Sequence, residues 1–457
     1  MRSPLRTLGS LAAVALLALT AACSKPSASL EQPKEWSREV PSAYGRPLDA
    51  RVAEGTLLVT TTVGLIGVDP ATGAQKWWRD FAKDFDDGSE MSRGIAQFRI
   101  TIAGDAVVVT KSAENTPGST GRSGREILDL ATGVTRFTIV PKTDSADGWF
   151  FTHVTPTSIV TFECVDLVEC DITSLPLDGG APKWTLNLPG GRVDLPDQLS
   201  WNQERTHSSD GNSPPSWRVS GEPEFALVNN HKTDTATTVD LDTGRIIGEW
   251  KRADTRAWYV LLGPTVVEVG GGVTVRGLDP ATGEERWAFD PIAGATTPFG
   301  YHGHLVDGGL LIDESESGEG AKKYQFVDLL TGPQGGPVAA PQENALVVTP
   351  GLVVTVNEML SEVTATDPAT GEKTWTSPLP NGDGTYRLFE SVFIEGTLVI
   401  TGTTGFDDPG ALHAVDTATG RVRTWDGQWI LGTGEGLIVA LSGDEHEGKF
   451  ALHSHWL

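Results

Sequence analysis

Residues 278–290 read LDPATGEERWAFD, and the same piece returns with small changes as GVDPATGAQKWWRD from Gly67, ATDPATGEKTWTSP from Ala365 and AVDTATGRVRTWDG from Ala414. Its chemistry is that of a turn. The aspartates Asp69, Asp279, Asp367 and Asp416 can each accept a backbone N–H two residues on, and the proline that follows the first three presets φ for the first turn position. Gly73, Gly283, Gly371 and Gly420 then take the left-handed conformation that closes a hairpin. A recurrent carboxylate could also mean recurrent chemistry, but each residue here has a conformational task, so the piece reads as a structural joint.

Aligned on the turn glycine, the chain holds eight copies, some degenerate, at Gly73, Gly133, Gly180, Gly244, Gly283, Gly332, Gly371 and Gly420, mostly 39 to 60 residues apart. That period belongs to propellers and related arrays. Alternating or apolar runs rich in Val, Thr, Ile and Leu precede each turn, such as TLLVTT then LIGVD, and TLVITGT then ALHAVD. These are strands, and after the first residues no stretch of helical length competes with them. The expected fold is all-β, a propeller of four-stranded antiparallel blades. After the last turn come three strands, WILGTGEG, LIVALSG and KFALHSHW, with no Asp-Gly turn to follow. The missing outer strand is available in PKEWSREV near the N-terminus, and its pairing there closes the ring without free edges. Eight blades are expected; a literal count of units gives nine, and turns on the standing of the degenerate copies around Gly180 and Gly332.

An aromatic follows seven of the eight turns: Trp77, Trp184, Trp287 and Trp375 four residues past the glycine, Trp425 at five, Trp250 at six, with Phe137 as a substitute; Trp36 stands on the closing strand. A ring at the same place in every blade is positioned to pack on its neighbour, burying on the order of 150–250 Å² each. The copy at Gly332, LLTGPQGGPVAA, has no such ring, so its joint should be looser.

The strand followed by A-x-D-x-x-T-G-x-x-x-W resembles the repeat of the pyrroloquinoline-quinone-like β-propeller family, over nearly all of the chain after about residue 33. That family includes quinoprotein alcohol dehydrogenases, the propeller lipoprotein of the Bam complex and extracellular sensor domains of bacterial kinases. The resemblance implies the fold and does not choose among these roles. A quinoprotein would imply two adjacent cysteines over the quinone, a carboxylate-bound calcium and a catalytic aspartate. Cys164 and Cys170, in FECVDLVEC, have five residues between them, so quinone catalysis is the alternative reading and no cofactor is expected.

The segment MRSPLRTLGSLAAVALLALTAACSK has a basic start (Arg2, Arg6), a short apolar run and small residues before Cys23, the pattern of an export signal and too short for a good membrane span. LTAAC resembles the lipobox of bacterial lipoproteins, with Thr20 where Leu or Val is preferred, and implies that Cys23 is acylated. The chain then divides into a signal peptide (1–22), a polar tether (23–32) and a propeller (33–457), lipid-anchored on the extracytoplasmic face of a cell membrane. Formal net charge is −25, and about two units more negative without the signal, which disfavours nucleic acid and anionic lipid as partners. Export favours a bridge between Cys164 and Cys170, against two free thiols or a redox pair lacking the CxxC spacing.

His302 with His304, and His453 with His455, each sit two apart on an expected strand and share a face. Metal binding would need further ligands at metal spacing, and none is visible, so histidines facing solvent or the central channel are the better reading. The acidic stretches 84–90 and 381–386 lack the calcium-loop ligand order. Long polar insertions at 192–215 and from Ser112 are where binding to a rigid scaffold would reside, or flexible spacers. The sequence thus points to a monomeric, non-catalytic, membrane-anchored scaffold or sensor that binds an unidentified envelope protein or small ligand.

Overall fold

The computed structural model describes residues 35–457 apart from 82–97, 112–123, 141–147, 166–168, 190–191, 195–224, 231, 253–256, 263, 270–273, 290–302, 307–308, 315–322, 335–337, 340–343, 350, 358, 368–369, 381–386, 395, 406–407, 435 and 445–447. Cys23, His302, the acidic stretches and most of residues 192–215 therefore lie outside the described residues. Apart from one 3-10 turn at Ser42–Tyr44, every regular element described is a strand.

The strands group in fours along the chain. In the first array Pro47–Ala53, Thr56–Thr61, Gly64–Val68 and Gln75–Asp80 pair antiparallel in sequence order. The fifth repeats this with Trp258–Leu262, Thr265–Val269, Val275–Leu278 and Glu285–Phe289. In the sixth the outer edge is split into Gly332–Pro333 and Val338–Ala339, both paired to Lys323–Asp328. The ninth consists of Trp429–Gly434, Leu437–Asp444 and Lys449–Trp456, and takes its outer strand from the other end of the chain, Ser37–Val40, in the register Ser37 to His453 and Val40 to Phe450. The molecule is a β-propeller closed by its N-terminal strand.

Among the described residues eight hydrogen-bonded sheets hold nine arrays, because the first and ninth arrays are joined through a short parallel pairing, Ala50 with Gly432 and Arg51 with Thr433. The degenerate repeats around Gly180 and Gly332 are each strand-complete.

Among the described residues the sheets bury apolar side chains on both faces, each face being covered by a neighbouring sheet; Thr56–Thr61 is buried along its whole length. The core is accordingly a series of layers between arrays. Leu58, Leu65, Trp77 and Phe81 meet Val107, Val109 and Leu128 between the first and second. Val354, Val363 and Ala365 meet Leu398, Ile400 and Val415 between the seventh and eighth. Val40, Leu437, Val439 and Leu452 meet Leu57 and Val59 across the closing joint.

Candidate functional site at the joints between arrays

The turns at Asp69, Asp279 and Asp416 share one geometry. Asp69 Oδ1 accepts from the N–H groups of Ala71 (2.9 Å) and Thr72 (3.0 Å), Asp279 from Ala281 (2.8 Å) and Thr282 (3.1 Å), and Asp416 from Ala418 and Thr419 (both 3.0 Å). The glycine N–H returns to the aspartate carbonyl at 2.8 Å in the turns of Gly73, Gly283, Gly371 and Gly420. All four glycines have φ of 70 to 72°, left-handed values that a Cβ disfavours. Partial burial works against ionisation of Asp279, but Arg286 at 2.6 Å and the two turn N–H groups together hold its carboxyl below the usual range. These carboxylates are occupied as caps.

The glycine has a second duty. The aromatic of one array lies against the turn glycine of the next: Trp36 on Gly73, Trp77 on Gly133, Phe137 on Gly179, Trp184 on Gly244, Trp250 on Gly283, Trp287 on Gly332 and Trp375 on Gly420. The indole N–H commonly donates to a carbonyl of that same turn, Trp36 to Pro70 (2.8 Å), Trp77 to Leu130 (3.0 Å), Trp287 to Leu329 (2.9 Å) and Trp375 to Thr417 (2.9 Å). Trp77 and Trp287 also lie over a glycine of their own sheet, Gly67 and Gly277. The wedge therefore needs a small residue on both sides, which is the physical content of the small residue two places before the aspartate.

The departures are specific. In the third array Gly179, and not Gly180, stands against the preceding ring. In the fourth, Trp250 is displaced by two residues and pairs with Ala236; the Thr238 hydroxyl takes the Pro280 carbonyl, and the Trp250 indole nitrogen is buried without a hydrogen-bond partner among the described residues. Gly371, which follows the repeat without an aromatic, has none of the described residues within 4 Å of where its Cβ would be. Trp425 faces an array that has no turn. It stacks instead on His455, ring centroids 4.1 Å apart, with the Arg423 guanidinium 5.0 Å from the ring centre.

A further set of residues escaped the sequence reading. Lys76 donates to the Gly55 carbonyl (2.7 Å), Lys183 to Thr157 (2.7 Å) and Arg286 to Pro264 (3.0 Å), while Arg136 holds Asp105 (2.7 Å) and Asp129 (2.7 Å) together. Each ties the outer strand to the first hairpin turn of its own array. The signal was present: in these four repeats the residue before the aromatic is Lys or Arg.

Cys164 and Cys170 lie directly opposite on neighbouring strands and are bonded, Cα–Cα 4.0 Å. Both are buried in a layer with Phe162, Ile172 and Leu188. This pair does not fit a quinone stacked on adjacent cysteines. Replacing both by alanine should lower unfolding free energy by about 2 kcal/mol, the value expected for so short a loop; chemical denaturation reads it, and loss of folding would show the bridge to matter beyond its loop.

His453 Nε2 is 2.7 Å from the Ser442 hydroxyl, and His455 Nε2 is 2.7 Å from Gln428 Oε1. Their rings lie 6.4 Å apart. Among the described residues no three His, Cys, Asp or Glu side chains are placed to hold a metal ion. His413, which the sequence did not single out, is fully buried; desolvation pushes its pKa down to about 4, and its Nδ1 meets Thr424 Oγ1 at 3.0 Å.

Residues 271–428 match a PQQ-repeat family model described as outer membrane protein assembly factor BamB. No curated protein matches the chain. Among solved structures, BamB from Moraxella catarrhalis is 14% identical, covering 92% of this chain and 96% of its own, with a TM-score of 0.38. A eukaryotic initiation factor is 12% identical over 84% of this chain and 88% of its own, TM-score 0.51. The quinohemoprotein alcohol dehydrogenase from Comamonas testosteroni is 12% identical over 92% and 75%, TM-score 0.42.

Proposed function

We propose that the chain, whose residues 271–428 carry a BamB-type PQQ repeat, is a non-catalytic propeller held on the extracytoplasmic face of a membrane by a lipid on Cys23, presenting its faces and loops to an envelope protein or small ligand. One observation carries this reading: the chemistry-bearing groups of the repeat are consumed by the architecture. The described turn carboxylates cap their own turns, most of the indoles bond the next array, and the two cysteines bond each other inside a layer. Residues already satisfied in this way are not free to polarise or attack a substrate. Among the described residues no helix is long and apolar enough to cross a membrane.

The alternative, a quinoprotein dehydrogenase, is favoured only by the repeat that the family shares. Mixing the purified protein with pyrroloquinoline quinone and calcium is expected to give neither stoichiometric cofactor absorbance nor dye-linked alcohol oxidation; turnover would overturn the non-catalytic reading. Cys23→Ala is expected to move the protein from the membrane fraction to the soluble one. Its retention on membranes would count against the anchor.

A further inference from the structure

The closing joint is built unlike the others. In the other arrays the outer strand is held by the chain itself through a turn, whereas the outer strand of the ninth array, Ser37–Val40, is only four residues long and pairs with Lys449–Trp456 from the far end of the sequence. Just before it, the Trp36 N–H donates to the Ser454 hydroxyl and the Trp36 carbonyl accepts the Ser454 N–H (both 3.0 Å), the Trp36 ring supplies the wedge on Gly73, and Arg38 donates to the Gly73 carbonyl at 2.6 Å. A terminal strand with no covalent turn is the element that frays first.

Two histidines back that strand. His453 stands directly opposite Ser37 in the register, and His455 Nδ1 is 3.5 Å from Glu35 Oε2. The other face of His455 lies on Trp425, whose ring already carries the Arg423 cation, and Arg423 also donates to the Trp456 carbonyl. A second cation at His455 would therefore stand near Arg423 and His453, with half-exposed Glu35 as the one opposing charge among the groups named.

We propose that Trp36 through Val40 is a proton-sensitive latch, whose release is coupled to protonation of His453 and His455 and opens the joint between the ninth and first arrays. Burial is the largest influence on both imidazoles and holds each below the ordinary histidine range, Glu35 offsetting part of this at His455. The closed latch thus binds fewer protons than the open one, whose histidines return to about 6.5. Closure is fully favoured above that pH and weakens as pH falls below it. The parallel pairing of Ala50 with Gly432 is separate from the latch and keeps the inner strands together when it opens.

Amide exchange of the full chain in detergent tests this, reading the peptide over residues 37–40 against Gln75–Asp80 as internal standard and correcting for intrinsic pH dependence. Between pH 7.5 and 5.0 the ratio is expected to rise severalfold, because the open latch binds more protons than the closed one. His453→Gln with His455→Gln should flatten the response. Independently, a disulfide from Arg38→Cys and Leu452→Cys, opposite one another in the register, should abolish it, which keeps the test intact if the glutamine variant does not fold. A ratio that stays constant, or that falls because the Glu35 ion pair dominates, would overturn the latch.

Discussion

Gly432→Ala is expected to lower stability by about 3 kcal/mol, at the upper end of ordinary overpacking, through steric conflict at one point. An added Cβ would lie 1.7 Å from the Ala50 carbonyl oxygen and 2.6 Å from its carbon. Both obstacles are backbone atoms of the parallel ladder that joins the first and ninth arrays, so no side-chain rotation relieves them. The chain must either surrender that pairing or displace the strand Pro47–Ala53, whose buried residues Asp49 and Ala50 are packed in place. Gly434→Ala is the control. It lies two residues on in the same strand, its nearest obstacles are Val52 Cβ and the Val52 carbonyl oxygen, both at 3.1 Å, and a shift of a few tenths of an ångström accommodates it. Thermal unfolding should separate the two variants clearly, and faster amide exchange in Pro47–Ala53 should accompany the first alone. Equal stabilities would mean that the parallel pairing contributes nothing to closure.

Gly432 also marks where sequence reading stops. The turn residues Asp279, Pro280 and Gly283 were legible because their conformational demands are local: a cap, a fixed φ and a left-handed position fall within five residues. Strand order and the use of Trp36 to complete the last array followed from counting those turns. A backbone approach between residues 50 and 432 leaves no such local trace, since a strand glycine next to Thr433 and Gly434 looks like weak strand propensity. Gly179 was obscured for a different reason. The third repeat has two adjacent glycines and no Thr-Gly, so alignment selected Gly180, whereas the neighbouring Phe137 ring selects Gly179. The spacing of the aromatics gave no indication that Trp425 would meet His455 instead of a turn. That exchange follows from the break between the chain ends, where the turn of the ninth array would otherwise stand.

Trp77→Ala is expected to cost about 3–5 kcal/mol, the range for removing a large buried aromatic. The ring is 8% exposed, lies between Gly67 and Gly133, and its N–H bonds the Leu130 carbonyl. Removal opens a cavity between the first and second arrays and leaves that acceptor short of a donor. Two glycine variants show whether the wedge or the turn is responsible. Gly133 and Gly371 have φ of 68° and 71°, so alanine meets nearly the same backbone penalty at each, about 1–2 kcal/mol. At Gly133 the new Cβ would also lie 2.6 Å from the Trp77 ring, whereas at Gly371 none of the described residues lies within 4 Å. Gly133→Ala should therefore be the more damaging by about 1–3 kcal/mol, the cost of overpacking, in denaturant titrations. In the Trp77→Ala background the two alanine substitutions should become nearly equal, because the ring that distinguishes them is gone. If Gly133→Ala and Gly371→Ala cost the same with Trp77 in place, the aromatic does not bear on the turn, and the joint would have to be held by its aliphatic layer alone.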